Sequence, residues 1–322
     1  MSAAPHHSLL DLVRRANGFS LATEEDIIYP TRAERVGWSL QATDNVIIGY
    51  IQPEVRRHLS AHPEVFEVQE HCVRIHSSLT TADARTEAVE RVLLEFRNES
   101  SRDHPLFGCL HGWRNERYDV HNGKGVYMRV ERAAAGLLGV RSYGCHLNGY
   151  VRDPATGAIK MWIARRSATK QTYPNMLDNL VGGGLAAGVH PYKNIIKECH
   201  EEAGLDPATV KAGLRSVGAI SFFLDDAKRG WVPDTEYVYD MELSTHFAPR
   251  AVDGEVQAFY LMDLDTVQAH LHRGEFMPES GLVIIEFLIR FGVITASNEP
   301  DYVEIIMGMH RKLRAPGPRF TA

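Results

Sequence analysis

Three glutamates lie close together in the stretch "HPYKNIIKECHEEAGL" of this 322-residue chain. The proline after His190 fits the first turn of a helix, and Gly204 fits the left-handed residue that ends one. At about 100° per residue, Glu198, Glu201 and Glu202 then share one face of that helix. Three like charges near the negative end of the helix dipole cost stability, which a hard divalent cation such as Mg²⁺ or Mn²⁺ would relieve. The pattern therefore favours a metal site over its alternative, a solvated helix face.

The segments around this helix predict the sheet that must position it. A glycine-rich loop, "VGGGLAAGV", comes directly before the helix. Two alternating segments, "YGCHLNGYV" and "IKMWIARRS", flank the turn "RDPATG" and predict a hairpin. Further strands are predicted in "LRSVGAISFFL", "TEYVYDMEL" and "AFYLMDL", and "FFLDDAKRGWVPDTEYVYDMEL" as a whole resembles an inserted hairpin. Helices follow in "LDTVQAHLHRG" and "SGLVIIEFLIRFGVI", so the order predicts an α+β domain with a mixed sheet.

The N-terminal third predicts a smaller α+β domain. Helices are expected in "SLLDLVRRANGF", "QPEVRRHLSAHPEVFEVQE" and "TADARTEAVERVLLEFRNE", and strands in "NVIIGYI" and "FEVQEHCVRIH". The third helix places Val89, Val92, Leu93 and Phe96 on one side. Residues 98–125 read as a loop, so we predict an N-terminal domain over 1–125 and a second domain over 126–322.

Composition limits the classes of partner. The charge of −6 argues against coating by nucleic acid, because an acidic surface repels phosphate backbones. No apolar run approaches the roughly 20 residues that cross a bilayer, and the first residues do not predict a signal peptide. The four cysteines form no CxxC pair, so a cytoplasmic location is the default expectation. A small-molecule ligand is expected, and the sequence leaves a homodimer open.

The glutamate segment resembles the Nudix box, GX5EX7REUXEEXGU, where U is aliphatic. The first glycine falls on Gly183, and the core of the pattern becomes "KECHEEAGL". Val189 stands where the pattern has its first glutamate, and Lys197 stands where it has arginine. The resemblance implies a Nudix α/β/α sandwich whose metal ligands, Mg²⁺ or Mn²⁺ being the ion, are Glu198, Glu201 and Glu202.

The rest of the chain resembles one Nudix branch that carries its own N-terminal domain, related to the Nudix part of fungal thiamine pyrophosphokinase-type proteins. The segments "LFGCLHGWRNERYDV", "SYGCHLNGYV", "MWIARRSATKQTYPNMLDNLVGGG" and "FMPESGLVIIEFLIRFG" carry this likeness. The resemblance implies hydrolysis of thiamine diphosphate, and preferably of its damaged oxo or oxy analogues, to the monophosphate plus phosphate.

Residues outside the helix complete the expected site. By family position, the backbone carbonyl of Gly182 is a further metal ligand, and Glu255 lies where many Nudix enzymes place another carboxylate. Arg166 and Lys170, in "RRSATK", resemble the R-S-x-x-K element that grips diphosphate in isopentenyl-diphosphate isomerases. Glu198, Glu201 and Glu202 are the catalytic candidates, and the sequence does not assign which of them is the general base. Glu255 as an exposed acidic turn, and "RRSATK" as a solvated hairpin, are the alternatives.

Other readings of the chain stay open at this stage. The substrate of a Nudix hydrolase here could be another nucleoside-diphosphate derivative, and a catalytically silent Nudix-fold binding module is a different class. An isomerase is disfavoured because no cysteine follows "LDN". Trp113, Tyr118 and Trp231 are candidates for stacking on a heterocycle. The loop "GWRNERYDV" suggests that the N-terminal domain closes over the ring end of the substrate.

Overall fold

The computed structural model describes residues 6–28 and 36–320. Its helices are α1 (Leu9–Ala16), α2 (Leu21–Ile28), α3 (Pro53–Leu59), α4 (Ala82–Glu99), α5 (Pro191–Ala203), α6 (Pro207–Gly213), α7 (Leu264–His272), α8 (Pro278–Arg290) and α9 (Tyr302–Met309). Its strands are β1 (Trp38–Gln41), β2 (Ile47–Ile51), β3 (Phe66–Val68), β4 (Cys72–Ile75), β5 (Arg117–His121), β6 (Val126–Glu131), β7 (Ser142–Arg152), β8 (Ile159–Arg166), β9 (Leu177–Asp178), β10 (Val181–Gly184), β11 (Arg215–Asp226), β12 (Gly230–Glu242) and β13 (Val256–Asp263). Within these described ranges, no helix is long and apolar enough to cross a membrane.

The N-terminal half contains a four-stranded sheet in the order β2-β1-β4-β3. The segment expected to form one strand after α3 forms two, β3 and β4, which pair antiparallel around a short turn. Helix α4 begins after Thr81, whose side chain accepts a hydrogen bond from the Ala84 N–H. Its predicted apolar face is confirmed, because Val89, Val92 and Leu93 are buried in the core of this half. The strands and α4 therefore enclose one apolar core.

The C-terminal half is built on a mixed sheet in the order β11-β12-β7-β8-β13. The predicted hairpin is confirmed: β7 and β8 are antiparallel, with Tyr150 opposite Met161. Strands β11 and β12 also form a hairpin, but β12 lies inside the sheet, parallel to β7, instead of forming an insertion. Strand β10, which carries the glycine loop, pairs with β7.

Helices cover both faces of this sheet. Adjacent residues of β12 point to opposite sides, so that Val238 joins the core under α1, α8 and α9, and Tyr239 joins the core under α5. This alternation is the normal pleat of a strand that is buried on both faces. The expected α+β fold with a mixed sheet between helical layers is confirmed.

Two features depart from the predicted division between residues 125 and 126. Helix α1 packs against α8, α9 and β11, so it belongs to the core of the C-terminal half. Strands β5 and β6 form an antiparallel hairpin whose turn contains that boundary. The first core continues from Leu40 to Val140, which places the change between cores just before β7.

Candidate active site

Helix α5 has the ends that the sequence predicts. The His190 side chain accepts a hydrogen bond from the Tyr192 N–H at 3.2 Å, and Pro191 occupies the first turn. Gly204 ends the helix with φ of 66°, a left-handed conformation that favours glycine. Ile195 and Cys199 are fully buried against the sheet. The helix is therefore fixed at both ends and along one face, which holds Glu198 and Glu202 beside β10.

The absence of a side chain at Gly183 leaves space for the carboxyl group of Glu198. Strand β10 passes beneath α5, and Gly183 pairs with Cys145 of β7. A Cβ atom at position 183 would lie 2.6 Å from Cδ of Glu198, closer than real contacts allow. The Glu198 carboxyl group therefore lies directly over the strand backbone.

Glu202 is buried and faces the same strand. One of its carboxylate oxygens accepts a hydrogen bond from the Gly182 N–H at 3.0 Å, and only 5% of the residue is exposed. Burial, with the nearby charges of Asp178 and Glu198, raises the pKa of Glu202 well above its usual value. Burial also raises the pKa of Glu198. For both carboxyl groups, the effect of burial on the pKa therefore outweighs the favourable contacts that each one makes.

Lys197 supplies the positive charge at the outer side of α5. Its Nζ lies 3.0 Å from Glu198 Oε1 and 2.8 Å from Glu201 Oε2. Burial alone would lower the pKa of Lys197, but the hydrogen bonds with these two glutamates raise it above its usual value. The ammonium group thus bridges two of the predicted metal ligands.

The predicted Lys170 and Glu255 lie together on neighbouring loops. Lys170 forms an ion pair with Glu255, and the Ser167 N–H donates to the Glu255 carbonyl at 2.8 Å. Burial acts to raise the pKa of Glu255, but Lys170, Arg132 and Arg114 lower it below its usual value. Glu255 is therefore an ionised carboxylate in a cationic environment.

Arg166 is buried and already bound to other groups of the chain. Its Nη1 donates to Asp178 at 2.6 Å, and its Nε and Nη2 donate to the carbonyl oxygens of Tyr173 and Thr172 at 3.1 and 3.0 Å. Only 8% of Arg166 is exposed, although it lines the same cavity as Lys170 and Glu255. The arginine holds the loop of residues 172–173 beside the site.

One cavity of about 1150 Å³ brings these groups together. Its wall includes every residue that the sequence predicted for the site: Arg166, Lys170, Gly182, Glu198, Glu201, Glu202 and Glu255. Residues of the N-terminal half, from the segment 102–118, line the same cavity. The cavity therefore lies between the two halves of the chain, with the glutamate helix on one side.

Four arginines of the cavity wall were not predicted, and two of them, Arg114 and Arg132, lie near Glu255. Arg132, at the end of the β5–β6 hairpin, contacts both carboxylate oxygens of Glu116 at 3.2 Å. Arg114 donates from Nε to the side chain of Gln171 at 3.2 Å, and burial together with the charge of Arg132 lowers its pKa. Guanidinium groups are well suited to bind phosphate or carboxylate oxygens. The loop "GWRNERYDV", which contains Arg114 and Glu116, could have indicated this part of the site from the sequence.

Comparisons with known proteins give the family. A family model described as a domain of unknown function, DUF4743, matches residues 40–142. The chain is 38% identical to the uncharacterized protein YJR142W of Saccharomyces cerevisiae over 263 residues, which are 79% of this chain and 75% of that one. It is 34% identical to Nudix hydrolase 24, chloroplastic, of Arabidopsis thaliana, over 83% of this chain and 70% of the relative. The chain belongs to the Nudix hydrolases.

Solved structures of Nudix proteins align with part of the chain. The Ap4A hydrolase of C. elegans, in a binary complex, matches 48% of this chain and 99% of its own length, with 16% identity and a TM-score of 0.36. The NUDIX domain of Shewanella oneidensis NrtR, in complex with ADP ribose, matches 48% of this chain and 90% of its own length, with 13% identity and a TM-score of 0.36.

Membership of the Nudix hydrolases makes the protein a hydrolase of phosphoric anhydride bonds, and these enzymes generally use divalent metal ions. Among the described residues, no three acidic, histidine or cysteine side chains are gathered closely enough to hold an ion. The Lys197 ammonium group instead neutralises Glu198 and Glu201. The donor set still suits a hard cation, because it consists of carboxylate oxygens and the backbone carbonyl oxygen of Gly182.

A buried relay fixes the orientation of His146 in this Nudix site. Asn148 donates from Nδ2 to Asp240 at 3.1 Å, and Asn179 donates from Nδ2 to Asn148 Oδ1 at 2.8 Å. The remaining oxygen of Asn179 lies 2.8 Å from His146 Nδ1, which must therefore be the donor. The relay begins at a carboxylate, which only accepts, so every amide in it has one orientation. Sequence reasoning missed His146, although it lies within "YGCHLNGYV".

The three aromatic residues that were candidates for stacking on a heterocycle lie in different parts of the structure. Tyr118 lines the cavity, and burial raises its pKa to about 12. Trp113 packs against the first core, and Trp231 lies in a cluster with Phe19 and Phe223. Only Tyr118 of the three is therefore in a position to contact a ligand of this Nudix cavity.

Proposed function

We propose that the protein is a metal-dependent diphosphatase that hydrolyses thiamine diphosphate, and preferably its oxo or oxy analogues, to the monophosphate plus phosphate. The observation that carries this proposal is the convergence of the glutamate helix and a cationic wall on a single cavity. A diphosphate needs positive charge on its oxygens and a metal-activated water, and these two walls supply the groups for both. The thiamine part of the proposal rests on the resemblance of the chain to one Nudix branch.

Mg²⁺ or Mn²⁺ is the proposed cofactor. Glu198, Glu201, Glu202 and the Gly182 carbonyl would hold it, with Glu255 as a further carboxylate. Such an ion, when bound, neutralises charge on the diphosphate and lowers the pKa of a bound water. The assignment of the general base stays open among the glutamates of α5.

The residues of the chain itself position the diphosphate. Lys170 and Arg114 provide donors in the same cavity as the α5 glutamates, and Arg132 adds a further positive charge near Glu255. A planar guanidinium group and an ammonium group both suit phosphate oxygens. These cations orient the scissile bond toward the glutamates and screen its negative charge from an approaching nucleophile.

The size of the cavity supports a substrate with a ring. Ligand sites of proteins commonly measure about 300–1000 Å³, and this cavity measures about 1150 Å³. Inorganic diphosphate alone would leave most of it unfilled. The wall formed by residues 102–118 supports the hypothesis that the N-terminal half covers the ring end of the substrate.

The test is phosphate release with Mg²⁺ from a panel that contains thiamine diphosphate, its oxo and oxy analogues, and nucleoside diphosphates. The wild type is compared with Glu202→Gln, whose amide oxygen can still accept from the Gly182 N–H. We expect turnover of the oxidised thiamine diphosphates by the wild type and a loss of at least about a hundredfold in the variant. Fastest turnover of a nucleoside diphosphate would replace the proposed substrate. Tight binding without turnover by either protein would favour the silent binding module.

Two further expectations remain predictions. The cytoplasmic location and the homodimer rest on the sequence, and two of the similar plant proteins carry the word chloroplastic in their names. Fractionation and light scattering at micromolar concentration would test them.

A further inference from the structure

Three buried carboxyl groups on the inner wall of the cavity have no part in the proposed hydrolysis. Asp234 and Glu236 lie on β12, and Glu279 lies in the first turn of α8. All three line the cavity, and their exposed fractions are 8%, 5% and 5%. Among the described residues, Oε2 of Glu236 and Oε2 of Glu279 have no hydrogen-bond partner. Because a buried polar atom without a partner is unfavourable, these two oxygens are available to a ligand in the cavity.

The neighbouring groups do not satisfy these oxygens. The nearest cation to Glu279 is Arg229, whose Nη2 lies 3.8 Å from Oε1 and donates to the Tyr173 hydroxyl at 2.8 Å. His146 Nε2 lies 3.5 Å from Glu236 Oε2, too far for an O–H hydrogen bond. The backbone at Gly144 leaves no space for a side chain beside the Glu236 carboxyl group, which is therefore confined against β7.

Crowding makes these groups hydrogen-bond donors. Carboxyl groups that share a buried site cannot all ionise, so protons are retained among them. Burial, followed by the charges of Asp234, Glu279 and Asp178, raises the pKa of Glu236 well above its usual value. Burial likewise raises the pKa of Glu279 and that of Asp234. A protonated carboxyl group has one O–H to donate, so the inner wall offers donors that need an acceptor.

We propose that Glu236 and Glu279 bind the ring end of the substrate by donating hydrogen bonds to a carbonyl oxygen on the ring. This inference rests on the proposed diphosphatase function and names the residues that would select its substrate. The oxo analogue of thiamine carries a carbonyl on its thiazole ring, and the oxy analogue carries one where the pyrimidine ring had an amino group. Intact thiamine has neither carbonyl, and its amino group would place a donor against a donor. The two carboxyl groups would thus favour the damaged compounds.

The experiment measures ring recognition without turnover. Calorimetry in the absence of divalent metal compares oxythiamine monophosphate with thiamine monophosphate, and uridine diphosphate with cytidine diphosphate. Both pairs exchange a ring carbonyl for an amino group. The variants are Glu236→Leu and Glu279→Leu, which remove the donor, and Glu236→Gln, which keeps an N–H donor. Glu286→Leu, also on α8 but outside the cavity, is the control.

We expect the wild type to bind the carbonyl member of a pair at least about tenfold more tightly. Each leucine variant should bring that ratio close to one, while Glu236→Gln and Glu286→Leu should retain it. Circular dichroism of each variant checks that it is folded. If one leucine variant does not fold, the other decides.

Three results would overturn the inference: no preference in the wild type for either pair, a preference that survives both leucine changes, or a glutamine variant that loses the preference as fully as leucine. The last result would mean that negative charge, and not donation, acts on the ring. Failure of the proposed function looks different. In that case no thiamine diphosphate is hydrolysed. The wild type still binds uridine diphosphate more tightly than cytidine diphosphate, and the leucine variants lose this preference.

Discussion

Lys197 stands where the Nudix pattern has arginine, and the structure gives it a role. Its ammonium group bridges Glu198 and Glu201, so a divalent ion entering the site must displace it. Lys197→Met should therefore bind Mg²⁺ about three- to tenfold more tightly, because a competing positive charge is removed from a half-exposed position. The turnover number should fall, since Glu198 loses the group that orients it. Titration calorimetry and steady-state kinetics measure the two effects.

Lys193→Met is the matched control for this change. Lys193 lies on the same helix but is exposed and does not line the cavity. Both Mg²⁺ affinity and turnover should stay at the wild-type level in that variant. An unchanged Mg²⁺ dissociation constant in Lys197→Met would show that the lysine does not compete with the ion.

Arg166 provides a test with pH as the variable. Burial acts to raise the pKa of Asp178, but Arg166 and His146 lower it below its usual value. Ionised Asp178 therefore stabilises the fold above the unfolded carboxyl pKa of about 3.9, and this contribution disappears as the pH falls through the lowered folded value. Arg166→Ala leaves the carboxylate buried without its partner, so the free energy of unfolding at pH 7 should fall by about 3–5 kcal/mol. Urea titrations measure this loss.

The loss in Arg166→Ala should shrink as the pH approaches about 4, because the unpartnered Asp178 can then be protonated in the folded protein. Arg165→Ala is the control: Arg165 is adjacent in sequence, and its Nη1 donates to the Asn175 carbonyl at 2.7 Å near the surface. That variant should lose less than about 1 kcal/mol at either pH. Equal losses for the two arginines would mean that Arg166 is not a structural partner of Asp178.

At the scale of elements, the sequence was sufficient to predict a helix or a hairpin where nearby residues determine its ends. The β7–β8 hairpin was predicted from its turn, in which Asp153 accepts from the Thr156 N–H and Gly157 adopts φ of 72°. Helix α5 was predicted from the proline at its start and the left-handed Gly204 at its end. The turn and the helix ends each depend on residues that are close together in the sequence, so the types and spacing of those residues are enough to predict them.

The approach of β10 to α5 gives a prediction about one strand and one helix. Gly183 has an extended conformation that alanine can adopt, but its Cβ would overlap the Glu198 carboxyl group. Gly183→Ala should therefore lower Mg²⁺-dependent turnover at least about tenfold, since a displacement of one ångström at a catalytic group is enough for such an effect. The melting temperature should change little. Phosphate release and thermal unfolding are the measurements.

Gly125→Ala is the control for this change, because a Cβ at position 125 would meet no atom within 4 Å. It should leave turnover and melting temperature unchanged. If Gly183→Ala retained full turnover, the position of Glu198 over the strand would not matter for catalysis.

At the scale of the whole molecule, the sequence failed where contacts join distant parts of the chain. Spacing revealed the carboxylates of one helix, but not that β12 pairs with β7 in parallel, which places Glu236 in the cavity wall. Arg114 comes from the N-terminal half and reaches the site only through the packing of the two halves. Periodicity in a sequence describes one element at a time, so it cannot report such pairings.

The packing of α1 was missed for the same reason, and it changes what a truncation would do. Leu9 and Val13 are buried in the core beneath α8 and α9. Asn17, which follows α1, donates from Nδ2 to the Gly308 carbonyl at 2.8 Å and accepts from the Phe223 N–H at 3.2 Å. Helix α1 and Asn17 thus complete the core of the C-terminal half.

A fragment of residues 126–322 should consequently lack a cooperative unfolding transition, because it loses α1 and the first strand of the β5–β6 hairpin. In the full chain, Leu9→Ala should lower the free energy of unfolding by about 2–5 kcal/mol, whereas Leu21→Ala, at a position that is 61% exposed, should change it by less than about 0.5 kcal/mol. Circular dichroism during heating and urea titration measure these quantities. A fragment that unfolds as sharply and at the same temperature as the full chain would show that α1 is dispensable, and the two halves could then be studied as independent domains.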